Sequence, residues 1–109
     1  RISNAIKKEF FLKKAFNDSE IDMAGGRNRD SFLAGNFATK EAFVKALGTG
    51  FRGVELKDLA VLRDELGKPF IKICNNSNRH LQGIDENKIH VSISNTDSLA
   101  IAMVVIETD

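Results

Sequence analysis

The fold is organised around residues 32–50, FLAGNFATKEAFVKALGTG. Apolar side chains recur along it at helical spacing and stop just before a glycine, so the pattern predicts a long helix that ends at Gly48. Projected at about 100° per residue, a broad arc of this helix is apolar and should be buried. The members of the arc are Phe32, Leu33, Phe37, Phe43, Val44 and Leu47.

Glu41 and Lys45 fall one turn apart outside this arc, and only Ala34 and Ala38 project beside them. A charged pair next to small side chains leaves room for a ligand. The same spacing is also that of the commonest exposed helix pair, which contributes about 0.3–0.5 kcal/mol, so a purely structural role stays open. Lys40 falls inside the arc, where we expect its stem to lie on apolar surface with the ammonium group in water.

Length and composition indicate one globular domain, residues 1–109, with 42 % hydrophobic and 28 % charged residues. The formal net charge of +1 disfavours general nucleic-acid binding, which calls for a strong basic excess. The single cysteine, Cys74, excludes an intrachain disulfide and a cysteine-cluster metal site; its apolar surroundings predict a buried thiol in a reducing, cytoplasmic setting. No apolar run approaches the roughly 18 residues of a membrane span, and no signal peptide is visible.

A basic, apolar-striped helix is predicted at the start of the chain. The stripe consists of Ile2, Ile6, Phe10, Phe11, Leu12 and Phe16, and the basic residues are Lys7, Lys8, Lys13 and Lys14. These lysines indicate either a solvated face or a docking surface for an acidic partner. Asn17 and Glu20 have the spacing of a capping box for a short helix through Met23, and Asp30 or Ser31 is the expected N-cap of the long helix.

The segment GTGFRG, residues 48–53, matches the pattern G-x-G-x-x-G, but it follows a helix and leads towards a strand. A dinucleotide-binding fingerprint has the opposite context, so we reject that interpretation. Gly48 is instead expected to adopt a left-handed conformation just past the helix end.

The second half of the chain has strand character. We predict strands at Val54–Leu62, Phe70–Cys74, Lys88–Ser94 and Leu99–Glu107, with turns at 65–69 and 95–98 and a helical turn near 78–82. On the last strand, Ala100 and Ala102 lie on one face and Ile101, Met103 and Val105 on the other. Because both sets are apolar, we expect both faces of this strand to be covered. His80 and His90 have no metal-ligand spacing, and Ser92 and Ser94 lack a nucleophile-elbow context, so all four are predicted to be structural.

Several linked motifs resemble those of the holo-[acyl-carrier-protein] synthases, the small bacterial 4′-phosphopantetheinyl transferases. The family pattern has a phenylalanine, then Lys-Glu-Ala, then a lysine and a Gly-Thr-Gly loop, as residues 32–50 do. The likeness continues through LGKP, residues 66–69, and IHVSISNT, residues 89–96, and covers nearly the whole chain in the family's order.

This resemblance implies transfer of the phosphopantetheine arm of coenzyme A to a serine of apo-acyl carrier protein, with release of 3′,5′-ADP, in support of fatty acid synthesis. It also implies Mg²⁺ dependence, a homotrimer with active sites between subunits, and an α+β fold with a long central helix packed on a mostly antiparallel sheet.

The resemblance assigns site residues as well. Glu41 matches the helical metal ligand, Lys45 matches the lysine on the phosphate undergoing transfer, and both are the expected catalytic residues. Gly48, Pro69, Asn95, Thr96 and Asn36 occupy positions that bind coenzyme A. The basic first helix, with Arg1, Lys7 and Lys8, matches the surface that docks the acidic carrier protein.

Three departures from the family pattern affect these expectations. The family's other metal ligand is an aspartate in an N-terminal Gly-Ile-Asp strand, and we expect such a segment to precede Arg1 in the natural protein. Asn36 replaces an arginine and Asn95 a histidine near the coenzyme A 3′-phosphate, which predicts weaker binding unless Arg27, Arg29 or Arg52 compensates. A catalytically silent coenzyme A- or anion-binding module is the alternative function, and a nucleic-acid-binding domain is a distant third.

Overall fold

The computed structural model describes the backbone of residues 2–26, 28–96 and 98–108, and side chains from residue 7 onward. Within these ranges the chain forms helices α1 (Ile2–Ala15), α2 (Asp18–Ala24) and α3 (Arg29–Leu47), then strands β1 (Leu59–Arg63), β2 (Pro69–Ile73), β3 (Ile89–Asn95) and β4 (Ala100–Ile106). Short 3-10 helices, Leu56–Asp58 and Glu86–Lys88, lead directly into β1 and β3. The predicted α+β class is confirmed, and none of the described helices is long and apolar enough to cross a membrane.

Helix α3 is the central element, and it packs against the β3–β4 hairpin, against β1 and against α2. One apolar cluster lies between the C-terminal half of α3 and the two hairpins; it includes Phe43, Val44, Leu59, Ile71 and Ile89. A second cluster joins the N-terminal half of α3 to α1 and α2; it consists of Leu12, Ala15, Phe16, Ala24 and Leu33. The predicted apolar arc of α3 is therefore confirmed as the buried face.

The two ends of α3 differ in how well the sequence predicts them. Its N-cap is Asn28 rather than Asp30 or Ser31, and the Phe32 N–H donates to the Asn28 carbonyl at 2.9 Å. The predicted cap is wrong because Asp30 already lies in the first turn, where its carboxylate pairs with Lys8 at 3.5 Å. At the other end Gly48 has φ 89° and is left-handed, as predicted.

The capping box at the start of α2 is confirmed, since the Asn17 N–H donates to Oε1 of Glu20 at 3.1 Å. The predicted stripe on α1 is only partly buried. Leu12 and Phe16 enter the core, whereas Phe10 and Phe11 are 62 % and 49 % exposed. The side chains of Ile2 and Ile6 lie outside the described part of the structure.

The predicted strand Val54–Leu62 is wrong in its first half, where a 3-10 turn replaces it. The Asp58 carboxylate accepts the Glu55 N–H at 2.9 Å, and this side-chain bond holds the backbone in a turn. Cys74 is exposed rather than buried, because β2 ends at Ile73 and strand alternation turns the next side chain outward.

The two antiparallel pairs, β1–β2 and β3–β4, form separate two-stranded sheets. In the second sheet, Val91, Ile93, Val104 and Ile106 pack against the core. On the outward face of β4, Ile101, Met103 and Val105 are 59 %, 65 % and 50 % exposed. The expectation that both faces of this strand are covered is therefore wrong for a single chain.

Candidate functional site

Glu41 and Lys45 lie on the side of α3 that turns away from the core, as the spacing predicts. Both are exposed, and Ala34 beside them is exposed as well, while Ala38 is half-buried. Because residues 40, 43 and 44 are fully buried on the opposite side, the helix has one possible rotation and presents this charged pair to the surface. A ligand that spans one helical turn could contact both charges.

Lys40 fixes this rotation, and it is not the solvated side chain that we expected. It is 0 % exposed, and its Nζ donates to Oε1 of Glu20 at 2.7 Å, to the Ala15 carbonyl at 2.8 Å and to the Leu56 carbonyl at 2.9 Å. Desolvation lowers the pKa of Lys40 from its ordinary value, and the attraction of Glu20 opposes that shift. The ammonium group thus joins α1, α2, α3 and the 3-10 turn before β1 at one buried point.

Glu20 is the partner that makes this burial possible, and it is itself 0 % exposed. Besides Lys40 and Asn17, its carboxylate accepts the Val61 N–H at 3.2 Å and Nδ2 of Asn36 at 3.0 Å. Its charge is compensated by an ion pair and by hydrogen bonds from three further residues, which is what a buried carboxylate requires. The sequence signal for this role was present in Lys40, because a lysine inside an apolar arc needs a counter-charge.

Asn36 belongs to the same buried cluster, although the resemblance places it at the coenzyme A site. Its Nδ2 also donates to the Val61 carbonyl at 2.9 Å, and its Oδ1 accepts from Nη1 of Arg63 at 3.0 Å. The side chain is 0 % exposed, so the structure turns Asn36 towards β1 rather than towards a surface cavity. The half-buried Arg63 extends this cluster towards solvent.

The loop after α3 is held in one shape by the Val44 carbonyl and by a close packing contact. That carbonyl accepts the N–H groups of Gly48, Thr49 and Gly50 at 3.0–3.2 Å. A Cβ at Gly53 would lie 2.7 Å from Nε2 of His80, so the last glycine of the G-x-G-x-x-G pattern serves packing. Around Gly48 a Cβ would meet nothing within 4 Å, which leaves its backbone open to a ligand.

Asn95 and Thr96 line a surface cavity of about 220 Å³ between the β3–β4 turn and the first turns of α3. Nδ2 of Asn95 donates to the Ser31 carbonyl at 3.2 Å, and its amide lies next to Gly35. Pro69 pairs with Arg63 in the β1–β2 ladder, and the Arg63 guanidinium lies 4.3 Å above the ring of Phe32. Of the residues predicted to bind the nucleotide, Asn95 thus contacts the N-terminal half of α3, and Pro69 is linked to it through Arg63.

One chain does not bring all the candidate residues together. Lys45 and Gly48 lie at the C-terminal end of α3, fourteen and seventeen residues beyond Ser31. At about 1.5 Å per helical residue, Lys45 is about 21 Å along the axis from Ser31 and about 15 Å from Gly35, the two helical residues that Asn95 contacts. The candidate residues therefore form two groups: a candidate C-terminal half-site of Glu41, Lys45 and Gly48, and a candidate N-terminal half-site of Pro69, Asn95 and Thr96.

A third candidate surface lies on α1. Lys7 and Lys8 are exposed there, close to the exposed Phe10 and Phe11, while Arg1 lies outside the described residues. Next to it, a cavity of about 310 Å³ opens between α1 and α3, and its apolar lining consists of Phe11, Leu12, Phe16, Leu33, Ala34 and Phe37. This combination of cations and aromatic rings suits a partner that is acidic and partly apolar.

The fit of these residues to a metal is limited. In the described ranges, no three His, Cys, Asp or Glu side chains are grouped so that they could hold a metal ion. Mg²⁺ commonly takes one or two carboxylates and completes its shell with substrate phosphates and water. The exposed Glu41 therefore fits a Mg²⁺ ion that a pyrophosphate helps to bind, and does not fit a closed protein cage.

Sequence comparison and structure comparison give the same result. The profile of the 4′-phosphopantetheinyl transferase superfamily matches residues 1–104. A holo-[acyl-carrier-protein] synthase of Clostridium perfringens is 46 % identical over 98 % of this chain and 85 % of its own length. The crystal structure of the Neisseria meningitidis synthase superposes with a TM-score of 0.78 at 32 % identity, over 95 % of this chain and 87 % of that one. The Bacillus anthracis synthase in complex with CoA (3′,5′-ADP) gives a TM-score of 0.74 at 32 % identity, over 97 % and 89 %.

Proposed function

Because the chain belongs to the 4′-phosphopantetheinyl transferase superfamily, we propose that it transfers the 4′-phosphopantetheine arm of coenzyme A to a serine of apo-acyl carrier protein. The reaction releases 3′,5′-ADP and supports fatty acid synthesis. The observation that carries this function is the 46 % identity to a holo-[acyl-carrier-protein] synthase over nearly the whole chain. The same match favours the transferase over a silent coenzyme A-binding module and over a nucleic-acid-binding domain.

The chemistry is the attack of a serine hydroxyl on the phosphorus that carries the pantetheine arm. A new serine O–P bond forms, the pyrophosphate P–O bond breaks, and the 5′-phosphate of 3′,5′-ADP takes the electron pair. Such reactions depend mainly on positioning and on neutralising charge at the phosphate oxygens. The exposed Lys45 ammonium supplies that charge, and the open backbone at Gly48 allows the nucleotide to approach.

Glu41 is the residue of this chain that would hold Mg²⁺, the metal proposed for the reaction. When bound, the metal would polarise the pyrophosphate and screen its negative charge. The same carboxylate could orient a water molecule that accepts the serine proton. Both roles are compatible with a side chain that is exposed and one turn from Lys45.

The active site is proposed to form between two copies of the chain. In coenzyme A the 3′-phosphate and the pyrophosphate are attached to one ribose, only a few bonds apart. In a single chain, Lys45 lies about 15–21 Å along α3 from the two residues that Asn95 contacts, Gly35 and Ser31, which is farther apart than two phosphates on one ribose. A C-terminal half-site from one copy and an N-terminal half-site from the next would complete the site.

The proposed assembly is a homotrimer in the cytoplasm. Its support is the outward face of β4, where Ile101, Met103 and Val105 are all at least half exposed. An apolar strip of this kind on a small domain favours burial against another copy. A cyclic trimer would give every chain one neighbour on each side.

The acidic carrier protein is proposed to dock on α1. Lys7 and Lys8 would attract it, and the exposed rings of Phe10 and Phe11 would contact its apolar side chains. Arg1 is proposed to belong to the same surface. Docking there would leave the serine of the carrier free to reach the site formed on α3.

Intact-protein mass spectrometry of an apo-acyl carrier protein tests this function. The carrier is incubated with coenzyme A, Mg²⁺ and the full-length protein, with Glu41→Gln in parallel and Asp22→Asn as a charge-matched control on the exposed face of α2. We expect a gain of one phosphopantetheine mass with the wild type and the control, and none with Glu41→Gln. No gain with several carriers, despite measurable coenzyme A binding, would instead support the silent module.

A further inference from the structure

Arg63, the last residue of β1, is a half-buried cation that forms no ion pair with any described residue of its own chain. The described residues place no carboxylate within 4.0 Å of its guanidinium, whereas the nearest buried acid, Glu20, is already paired with Lys40. Burial lowers the pKa of Arg63 from its ordinary value, with Glu20 opposing that shift from a distance. A partly buried charge of this kind is stabilised when an anion is brought to it.

The guanidinium is held in place before any anion arrives. It lies 4.3 Å above the Phe32 ring, and Nη1 donates to Oδ1 of Asn36 at 3.0 Å and to the Leu62 carbonyl at 3.4 Å. The orientation of the Asn36 amide is itself determined, because its Nδ2 donates to Glu20 and to the Val61 carbonyl. Among the described contacts only Nη1 is engaged, so Nε and Nη2 are left for a ligand.

The position of Arg63 relates it to the N-terminal half-site. It is paired with Pro69 across the β1–β2 ladder, and its guanidinium stacks on Phe32, which follows Ser31 directly in α3. The Ser31 carbonyl in turn accepts from Asn95. Arg63 and Asn95 therefore contact the same first two turns of the helix, and Pro69 is the strand partner of Arg63.

We infer that Arg63 binds a phosphate monoester and that Asn36 is its positioning residue. Resting on the proposed function, this anion is the 3′-phosphate of coenzyme A. An arginine fork suits phosphate geometry, and the buried asparagine supplies the acceptor that aims it. Asn36 stands where the family pattern has an arginine, and Arg63 on β1 supplies a cation in its place. We therefore expect the protein to retain a preference for coenzyme A over dephospho-coenzyme A.

Equilibrium binding tests this inference without requiring turnover. Calorimetry gives the dissociation constants of coenzyme A and dephospho-coenzyme A for the wild type, Arg63→Met and Arg63→Lys. Arg63→Met is expected to reduce the preference for coenzyme A by about 10- to 100-fold while the affinity for dephospho-coenzyme A stays within about twofold. Arg63→Lys keeps the charge but not the fork, so it should retain an intermediate preference. Arg79→Met, at an exposed arginine outside the half-sites, is the matched control and should bind like the wild type.

The inference would be overturned if Arg63→Met lost affinity equally for coenzyme A and dephospho-coenzyme A, or if its preference for coenzyme A were unchanged. It would also be overturned if Arg63→Met changed only the sedimentation coefficient of the protein, because Arg63 would then pair with a carboxylate of another copy. If Arg63→Met unfolds, the comparison of Arg63→Lys with the wild type decides. A wild type that shows the preference but modifies no carrier protein would refute the transferase and leave this inference standing. A wild type that modifies the carrier but binds coenzyme A and dephospho-coenzyme A equally would refute this inference and support the transferase.

Discussion

At the scale of single residues, the unusual feature is a full ion pair, Lys40 with Glu20, in a place that water does not reach. Every one of the three protons on Nζ has an acceptor at 2.7–2.9 Å. Removing one member of such a pair is costly because the other charge remains buried, while replacing both is often tolerated. The pair stabilises one arrangement of the helices around β1.

Lys40→Met should lower the free energy of unfolding by about 3–5 kcal/mol, because it leaves the Glu20 carboxylate buried without its cation. The double variant Glu20→Gln with Lys40→Met should be more stable than Lys40→Met alone. Urea denaturation measures both. Lys45→Met makes the same chemical change five residues later, on the exposed side, and should stay within about 0.5 kcal/mol of the wild type. Equal losses at residues 40 and 45 would contradict this role of the pair.

At the scale of elements, the loop after α3 depends on glycines for two different reasons. Gly50 and Gly53 both have positive φ, 57° and 80°, which L side chains rarely adopt. Only at Gly53 would a Cβ also collide with a neighbour, His80. The strain of the backbone and the lack of space can therefore be separated by mutation.

Gly50→Ala should cost about 1–2 kcal/mol of unfolding free energy through its left-handed φ, and Gly53→Ala should cost more. Combining His80→Ala with Gly53→Ala should recover the difference, because the smaller side chain removes the collision. Thermal or urea unfolding of the four variants, with His80→Ala alone as control, gives the coupling free energy. Additive losses would show that His80 does not set the requirement for glycine.

The elements that the sequence predicts well are those with a strong period. The apolar arc of α3 is its buried face, and one face of the β3–β4 hairpin packs against the core. Residues 32–47 and the last hairpin are therefore predictable from local pattern alone. The first half of Val54–Leu62 fails because Asp58 bonds to the backbone of Glu55. This side-chain hydrogen bond competes with strand formation, and the hydrophobic periodicity of the sequence does not reveal it.

The candidate site also has one part that the sequence predicts and one part that it does not. The C-terminal half-site, with Glu41, Lys45 and Gly48, is predictable because one helix carries it. The buried position of Asn36 and the stacking of Arg63 on Phe32 depend on how β1 packs on α3, which spacing along the chain does not encode. The sequence therefore points to Asn36 as a loss of charge and gives no sign of the arginine beside it.

At the scale of the whole molecule, the exposed outward face of β4 predicts that assembly and activity are lost together. Met103→Asp places a charge in the middle of that face, where Met103 is 65 % exposed in the single chain. We expect a folded monomer in analytical ultracentrifugation, with less than about a tenth of the wild-type transfer activity. Ser77→Asp, in an exposed loop, is the control and should remain assembled and active. An active monomer would contradict a site shared between copies.

Complementation gives a second, independent check on that sharing. Glu41→Gln disables the C-terminal half-site and Thr96→Asp places a negative charge in the N-terminal one. Each variant alone should be inactive, but chains refolded together should recover activity at about one quarter of the sites, where the two intact halves meet by chance. Measured transfer to the carrier protein reports the recovery. Mixtures as inactive as either variant alone would contradict the arrangement.

The separation of the two half-sites at opposite ends of α3 has a genetic consequence. Each chain in the proposed ring takes part in two active sites, so an allele that damages both of its half-sites acts beyond its own copy. One such subunit among three would silence two sites and leave one working. A cell that expresses it beside the normal gene should therefore lose more activity than the allele's share of the protein, which is the behaviour of a dominant-negative mutation.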